Sequence, residues 1–280
     1  MKVVLFCGGL GMRMRDGVNS GPKPMAMIGD RPLMWHVMRY YAHFGHTDFI
    51  LCLGYGASYV KDFFLNYDET RSNDFVLEGA AREVTLFRTD ISDWRITFVD
   101  TGLNSAIGER LRRVRRFVDD EPMFLANYAD VFTDASLPDM VARFEASNAV
   151  ASLLAVPPQS SHHVVDVAED GLITQVTPVR DLRQWENGGY FVLRNEIFDY
   201  LNEGEDLVED ALPRLIAQRR VLAYAHKGYW SPADTVKERA QLEDMYYRGH
   251  CPWMIWDPER SGVAKNVAPE SDPSATAPSA

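Results

Sequence analysis

The residues best suited to chemistry follow an apolar run near the N-terminus: Gly8-Gly9-Leu10-Gly11-Met12-Arg13-Met14, then Gly21-Pro22-Lys23-Pro24-Met25. Glycines let backbone N–H groups approach a ligand closely and accept unusual torsions. Arg13 and Lys23 flank this loop, and such a pair suits a polyphosphate. The arginine grips oxygens in bidentate fashion, and the lysine acts as a point charge. In open α/β sheets ligands bind beyond the carboxyl ends of strands, which is where this loop lies. Two common phosphate motifs fit poorly. A dinucleotide fingerprint needs a further glycine and an acid after the second strand, which here ends in Leu53-Gly54-Tyr55. No G-x-x-x-x-G-K-[ST] run is present. A glycine-rich turn that binds nothing stays open as the alternative.

The elements that must position this loop read as a mostly parallel α/β sheet covered by helices. Val3 to Cys7 reads as the first strand. Asp30 is placed to cap a helix with Pro32 in its first turn, and Leu33, Val37, Tyr40, Tyr41 and Phe44 share one helical face. Phe49–Leu53, Val84–Phe87, Arg95–Val99, Pro122–Tyr128 and Val150–Val156 read as strands. Tyr59–Phe64, Gly108–Phe117 and Ser136–Ala146 read as helices. After Pro157-Pro158 the pattern shifts to short strands, Val164–Val167 and Leu172–Val176, around a Glu-Asp-Gly turn. Tyr190–Leu193 and Val221–Tyr224 are further strands, and Leu207–Gln218 and Thr235–Tyr247 further helices. From Ser261 the chain is mostly Ala, Ser, Pro and Gly without aromatics, a composition that cannot offset chain entropy.

Lys plus Arg number 29 against 40 Asp plus Glu, a formal net charge of −11. That balance argues against nucleic acid and anionic membranes as partners, while a few local cations can still dominate a cleft. Cys7, Cys52 and Cys251 are too scattered for a disulfide framework or zinc site and read as small buried hydrophobes in a reducing cytosol. The N-terminal apolar run is too short for a signal segment, and no window approaches the roughly 18 apolar residues of a membrane span. The expectation is a soluble, cytoplasmic protein.

Gly-Gly-x-Gly-x-Arg followed by Pro-Lys-Pro-Met resembles the sugar-1-phosphate nucleotidyltransferases. Leu33-Met34-Trp35-His36-Val37-Met38, Val99-Asp100-Thr101-Gly102, Gly108-x-Arg110-Leu111-x-Arg113-Val114 and Asn187-Gly188-Gly189-Tyr190-Phe191-Val192-Leu193 lie in family order. So do Tyr229-Trp230-x-Pro232-x-Asp234-Thr235 and Pro252-Trp253-x-x-Trp256, and together they resemble the glucose-1-phosphate cytidylyltransferase branch. The resemblance implies a Rossmann-like fold over 1–257, with a small β-rich insertion at about 158–190 and a C-terminal helical segment. Residues 258–280 are then expected to be a disordered tail.

It also implies a reaction. A sugar phosphate oxygen attacks the α-phosphorus of a nucleoside triphosphate, CTP by the branch resembled, and pyrophosphate leaves in line. Mg²⁺ is the implied cofactor, with Asp130 and Asp234 matching the family's metal carboxylates. Arg13 and Lys23 are the implied catalytic cations, for the pyrophosphate and the α-phosphate. Gly8, Gly9, Gly11, Gly108 and Arg110 join them as nucleotide-binding candidates, and Arg110 also reads as one more arginine on a solvated basic helix face. Asn187, Gly188 and Gly189 are the implied acceptor residues. Family members assemble as homo-oligomers, so a homo-oligomer is expected.

Departures from the family pattern cluster at the substrates. Met12 replaces a hydroxyl residue of the glycine loop, Ala129 replaces the glycine before the metal-binding Asp, and Ile107 and Glu109 interrupt a Thr-Gly-Gly-Arg run. Val176-Thr177-Pro178 stands where the family has Glu-Lys-Pro, so the sugar and sugar-phosphate contacts do not carry over. Arg180 and Arg183 are candidates to supply the missing cation. The readings left open are a cytidylyltransferase for glucose 1-phosphate or another phosphorylated acceptor, and a nucleotide-binding protein without turnover.

Overall fold

Val3, Val4, Leu5 and Phe6 are all buried, which a continuous apolar run achieves as a strand covered on both faces. The structure, a computed structural model, describes residues 1–9, 21–159 and 162–262. Seven strands form the main sheet: β1 (Val3–Phe6), β2 (Asp48–Leu53), β3 (Arg95–Asp100), β4 (Met123–Asn127), β5 (Ala151–Val156), β6 (Glu186–Arg194) and β7 (Val221–Ala225). Their spatial order is β7-β5-β6-β4-β1-β2-β3. β1 pairs in parallel with β2 and β4, β2 with β3, and β5 with β7. β6 alone runs antiparallel, to β4 and to β5. The expected mostly parallel α/β sheet is therefore present.

Alternation along β1 feeds two cores. Val3, Leu5 and Cys7 pack with α1 (Leu33–His43), and Val4 and Phe6 with α3 (Ile107–Val114) and α5 (Leu212–Ala217) on the other face. α2 (Ala57–Leu65) and α4 (Leu137–Glu145) follow β2 and the chain after β4. α6 (Val236–Tyr247) and α7 (Pro258–Ser261) complete the described chain. Among the described residues no helix is long and apolar enough to cross a membrane.

Several local expectations change. Asp30 does not cap α1: it lies in the turn between the short paired strands Met27–Ile28 and Arg31–Pro32, and Pro32 itself is the cap residue. Val84–Phe87 proves to be half of a hairpin, Phe75–Glu78 with Glu83–Leu86. The 158–190 stretch holds a hairpin, His163–Val167 with Ile173–Pro178, and the start of β6. Packing also runs past Asp257, since Cys251 N donates to Arg260 O at 2.7 Å and Ser261 is buried. Gly11, Arg13 and residues 263–280 lie outside the described residues.

His36 anchors the C-terminal segment to α1, with Trp253 and Trp256 rings at 6.4 and 6.3 Å and its Nε2 3.1 Å from Ile28 O. Burial pushes its pKa down to about 4. The unfolded chain, with a histidine near 6.5, therefore takes up this proton first, and stability is full above that pH and lost as pH falls toward 4. Urea unfolding at stepped pH is expected to show this loss, up to about 3 kcal/mol, and His36→Gln to flatten it.

Candidate active site

β1 and β4 are neighbours at the centre of the sheet, where the strand order turns back on itself. Clefts form outside the carboxyl ends of strands at such a point. There the side chains of Lys23, Asp130 and Asp234 meet. Lys23 Nζ donates to Asp130 Oδ2 at 2.6 Å and also to Asp234 Oδ1. Its side chain is only 13% exposed, and that of Asp130 only 20%. Burial alone acts to lower the Lys23 pKa, but the two carboxylates outweigh it and the value is raised. Burial holds the Asp130 carboxyl above its ordinary range, against the pull of Lys23.

Local structure explains how residues so distant in sequence converge. Lys23 opens a single 3₁₀ turn, Lys23–Met25, which Pro22 introduces with its fixed φ. After β4 the chain turns sharply: Asn127 Oδ1 accepts from Ala129 N at 2.7 Å, and Asp130 follows. Val131–Thr133 then pairs antiparallel with Trp230–Pro232, and Ala233 N donates to Asp130 O at 3.1 Å. That short ladder delivers Asp234 beside Asp130. Glu238 fixes it there, its Oε2 accepting from Asp234 N and Thr235 N at 2.8 and 2.9 Å within the capping box that starts α6.

Ala129 takes a left-handed conformation, φ +64°. A Cβ makes that region costly, by about 1 kcal/mol or more. Ala129→Gly is expected to raise stability by about 1 kcal/mol, read as a higher melting temperature.

The glycine loop begins at Gly8 and Gly9. Gly9 is exposed, and an added Cβ there would meet nothing within 4 Å. Gly8 answers to a different demand, because a Cβ would lie 2.1 Å from Arg110 Nη1. Arg110 itself is placed differently from the sequence-based expectation. It is 3% exposed, and its guanidinium donates to Leu53 O, Thr101 Oγ1, Gly8 O and Leu103 O at 3.3, 2.9, 2.9 and 3.2 Å. These bonds tie together the chain beyond β1, β2 and β3, so Arg110 braces Gly8 from beneath and does not stand on a solvated face. At Gly108 a Cβ would lie 2.5 Å from Glu205 O.

The implied acceptor residues lie next to the Asp130 turn. Asn187 Nδ2 donates to Tyr128 OH at 3.2 Å, and its Oδ1 accepts from Gly189 N at 3.0 Å. Gly189 has φ +77°, and Trp230 Nε1 donates to Gly188 O at 2.9 Å. Arg180 and Arg183 are exposed on the link between the hairpin and β6, and Arg180 faces Asp181 at 3.9 Å. Val176 is exposed and Thr177 half-buried, both on the second strand of that hairpin.

Residues 2–237 match the nucleotidyl transferase family. The chain belongs to the nucleotidyl transferase family. Within it, the chain is 33% identical to a probable glucose-1-phosphate cytidylyltransferase of Bacillus subtilis (strain 168), over 91% of this chain and all of that protein. It is 31% identical to the glucose-1-phosphate cytidylyltransferase of Salmonella typhimurium, over 92% of this chain and again all of the relative. Among solved structures, a UDP-glucose pyrophosphorylase from Acinetobacter baumannii superposes with a TM-score of 0.63 at 19% identity, covering 88% of this chain and 92% of that one. That likeness is one of fold.

In this nucleotidyl transferase two carboxylates aim at one point already occupied by an ammonium, so the cleft is built to hold positive charge. Carboxylate oxygens suit a hard divalent cation. Among the described residues no third Asp, Glu, His or Cys joins them. A metal held here would draw its remaining ligands from phosphates and water. The sequence reading missed one support, Glu238, signalled by Thr-x-x-Glu ahead of a helix, and it gave Trp230 only as part of a family motif, without its bond to Gly188 O.

Proposed function

We propose that this nucleotidyl transferase condenses CTP with a sugar 1-phosphate of the glucose 1-phosphate class, yielding a nucleotide sugar and pyrophosphate. The observation that carries the reading is the convergence of Lys23, Asp130 and Asp234 at the carboxyl edge of β1 and β4, the edge from which the exposed Gly9 follows β1. A phosphate oxygen of the sugar forms the new bond to the α-phosphorus as the bond to the pyrophosphate oxygen breaks. No covalent intermediate on the protein is required.

Catalysis in this scheme is positioning and charge neutralisation. Lys23 carries its positive charge to the α-phosphate. Arg13 is assigned to the leaving pyrophosphate, and Gly8, Gly9 and Gly11 to the backbone cradle of the triphosphate. Asn187, Gly188 and Gly189 line the acceptor side. Asp130 and Asp234 are the residues that would hold Mg²⁺, which when bound supplies neutralisation of phosphate charge. Arg180 and Arg183 stand as candidates for the acceptor phosphate in place of the family lysine.

The same reading extends to a cytoplasmic homo-oligomer. Val165, Val167, Leu172 and Ile173 on one hairpin and Phe75 and Leu77 on the other are exposed, apolar surface of the kind a subunit contact covers. Sedimentation is expected to give a multiple of the 31.7 kDa chain, and Leu172→Glu with Ile173→Glu to give a smaller species.

The deciding assay is pyrophosphate release with each nucleoside triphosphate against a panel of phosphorylated sugars and other phosphorylated acceptors. Mg²⁺-dependent release is expected with CTP and a hexose 1-phosphate. Release only with a different acceptor class would move the substrate assignment, a second reading favoured by Val176-Thr177-Pro178, which offers neither carboxylate nor ammonium to a sugar phosphate. CTP binding without release under any pairing would overturn the enzyme assignment and leave a nucleotide-binding module.

A further inference from the structure

A separate cavity, of about 210 Å³, opens against α3 and is lined by Glu109, Arg112, Arg113, Arg115 and Phe198. Three guanidinium groups meet two carboxylates there, of Glu109 and the neighbouring Asp119, a local excess of one positive charge in a chain of net charge −11. Arg112 and Arg113 share Glu109, at 3.5 and 2.9 Å. Arg115 pairs with Asp119 at 3.2 Å and lies 5.2 Å over the ring of Phe198. Phe198 is buried and stacked on Phe124 at 5.8 Å, so the apolar wall of the cavity is fixed. The guanidinium groups, by contrast, are about a third to a half exposed, and the Arg115–Asp119 contact is a surface pair that a stronger anion displaces at little cost.

We propose that this cavity binds the phosphate dianion of a small phosphorylated metabolite, and that its occupancy slows the enzyme through α3. Arginines recognise phosphate oxygens in bidentate fashion, and these bonds are stronger than those to neutral carbonyls. The volume suits a phosphosugar or mononucleotide. A continuous chain of hydrogen bonds leads from here to the glycine loop. Arg113 Nη1 donates to Thr101 O at 2.9 Å, Arg110 donates to the hydroxyl of that same Thr101 at 2.9 Å, and Arg110 also donates to Gly8 O at 2.9 Å. An anion in the cavity draws Arg113 from the Thr101 carbonyl, loosening the turn against which Arg110 is braced. Nucleotide then meets a less ordered Gly8. The binding step stands independently of the reaction assigned to the cleft.

Inorganic phosphate, glucose 6-phosphate and CMP share the dianion and serve as separate calorimetric probes. The full chain is compared with Arg112→Gln/Arg115→Gln and with Lys23→Gln. The best probe is expected to bind the double variant at least about tenfold more weakly at one site, while that site survives Lys23→Gln. The probe that binds tightest names the source of the phosphate. The double variant should keep basal pyrophosphate release within about twofold and lose inhibition by that probe. Arg115→Glu, at an exposed position, gives the same comparison should the double variant fold poorly. Equal affinity and stoichiometry in wild type and both arginine variants would overturn the site. Inhibition that persists unchanged in them would overturn the coupling.

Discussion

Asp130→Asn is expected to lower pyrophosphate release by roughly a hundredfold to a thousandfold, the scale on which a single preorganised charge contact counts in a transition state. The amide is nearly isosteric, so the turn after β4 and the Ala233 N to Asp130 O bond keep their geometry. What changes is charge: Lys23 loses one of two anionic partners, and the cleft loses half of its formal negative charge toward a cation. Stability should hardly move, because burial already penalises the ionised carboxyl, as its raised pKa records. A coupled pyrophosphate assay beside a circular dichroism melt reads both quantities. Undiminished release from a folded Asp130→Asn protein would remove Asp130 from the reaction, and a lowered melt would make it a structural residue.

The second large effect is on folding. Arg110→Ala strips the donor from three backbone carbonyls, of Gly8, Leu53 and Leu103, and from the Thr101 hydroxyl. Leu53 O keeps Thr101 N and Oγ1 as donors at 2.9 and 2.8 Å, so Gly8 O and Leu103 O are the acceptors left unpaired. Each costs about 1–3 kcal/mol, so a total loss of about 2–5 kcal/mol follows. Urea unfolding measures it directly. Arg110→Lys should recover only part, since an ammonium cannot span the fork that a guanidinium spans. The residue's role is decided by the pairing of readouts. A positioning residue loses stability with activity. A nucleotide contact would raise KM for the triphosphate and leave the urea midpoint in place.

Arg110 also shows what was readable in advance. Ile107, Arg110, Leu111 and Val114 fall at the spacing of a single helix stripe, and Leu111 and Val114 are fully buried on it. Position therefore marked Arg110 as inward-facing, while its charge and four arginine neighbours marked it as part of a solvated face. Packing decided for position, because the converging strand ends offered enough carbonyls to receive it. The central strands were legible for the opposite reason, as burial on both faces leaves uninterrupted apolar runs such as Val3–Phe6. The ladder Val131–Thr133 with Trp230–Pro232 was not, since three-residue strands paired across the chain leave no local period. The hairpin Phe75–Glu78 with Glu83–Leu86 was half legible: all of the first strand is exposed, so neither face carries a hydrophobic code. Lys23, Asp130 and Asp234 could be named from motifs, but only folding placed one ammonium between both carboxylates.

The Val131–Thr133 and Trp230–Pro232 ladder has a consequence for the order in which a newly made chain becomes competent. Lys23 and Asp130 are made before Asp234, and β1 and β4, which precede them, pair directly. Asp234 arrives only after β7. The strand that fixes it must dock onto a segment made long before. A nascent chain thus keeps an incomplete charge cluster until the Trp230–Pro232 strand has emerged and docked, and a product truncated ahead of Trp230 holds Lys23 and one carboxylate but never the pair.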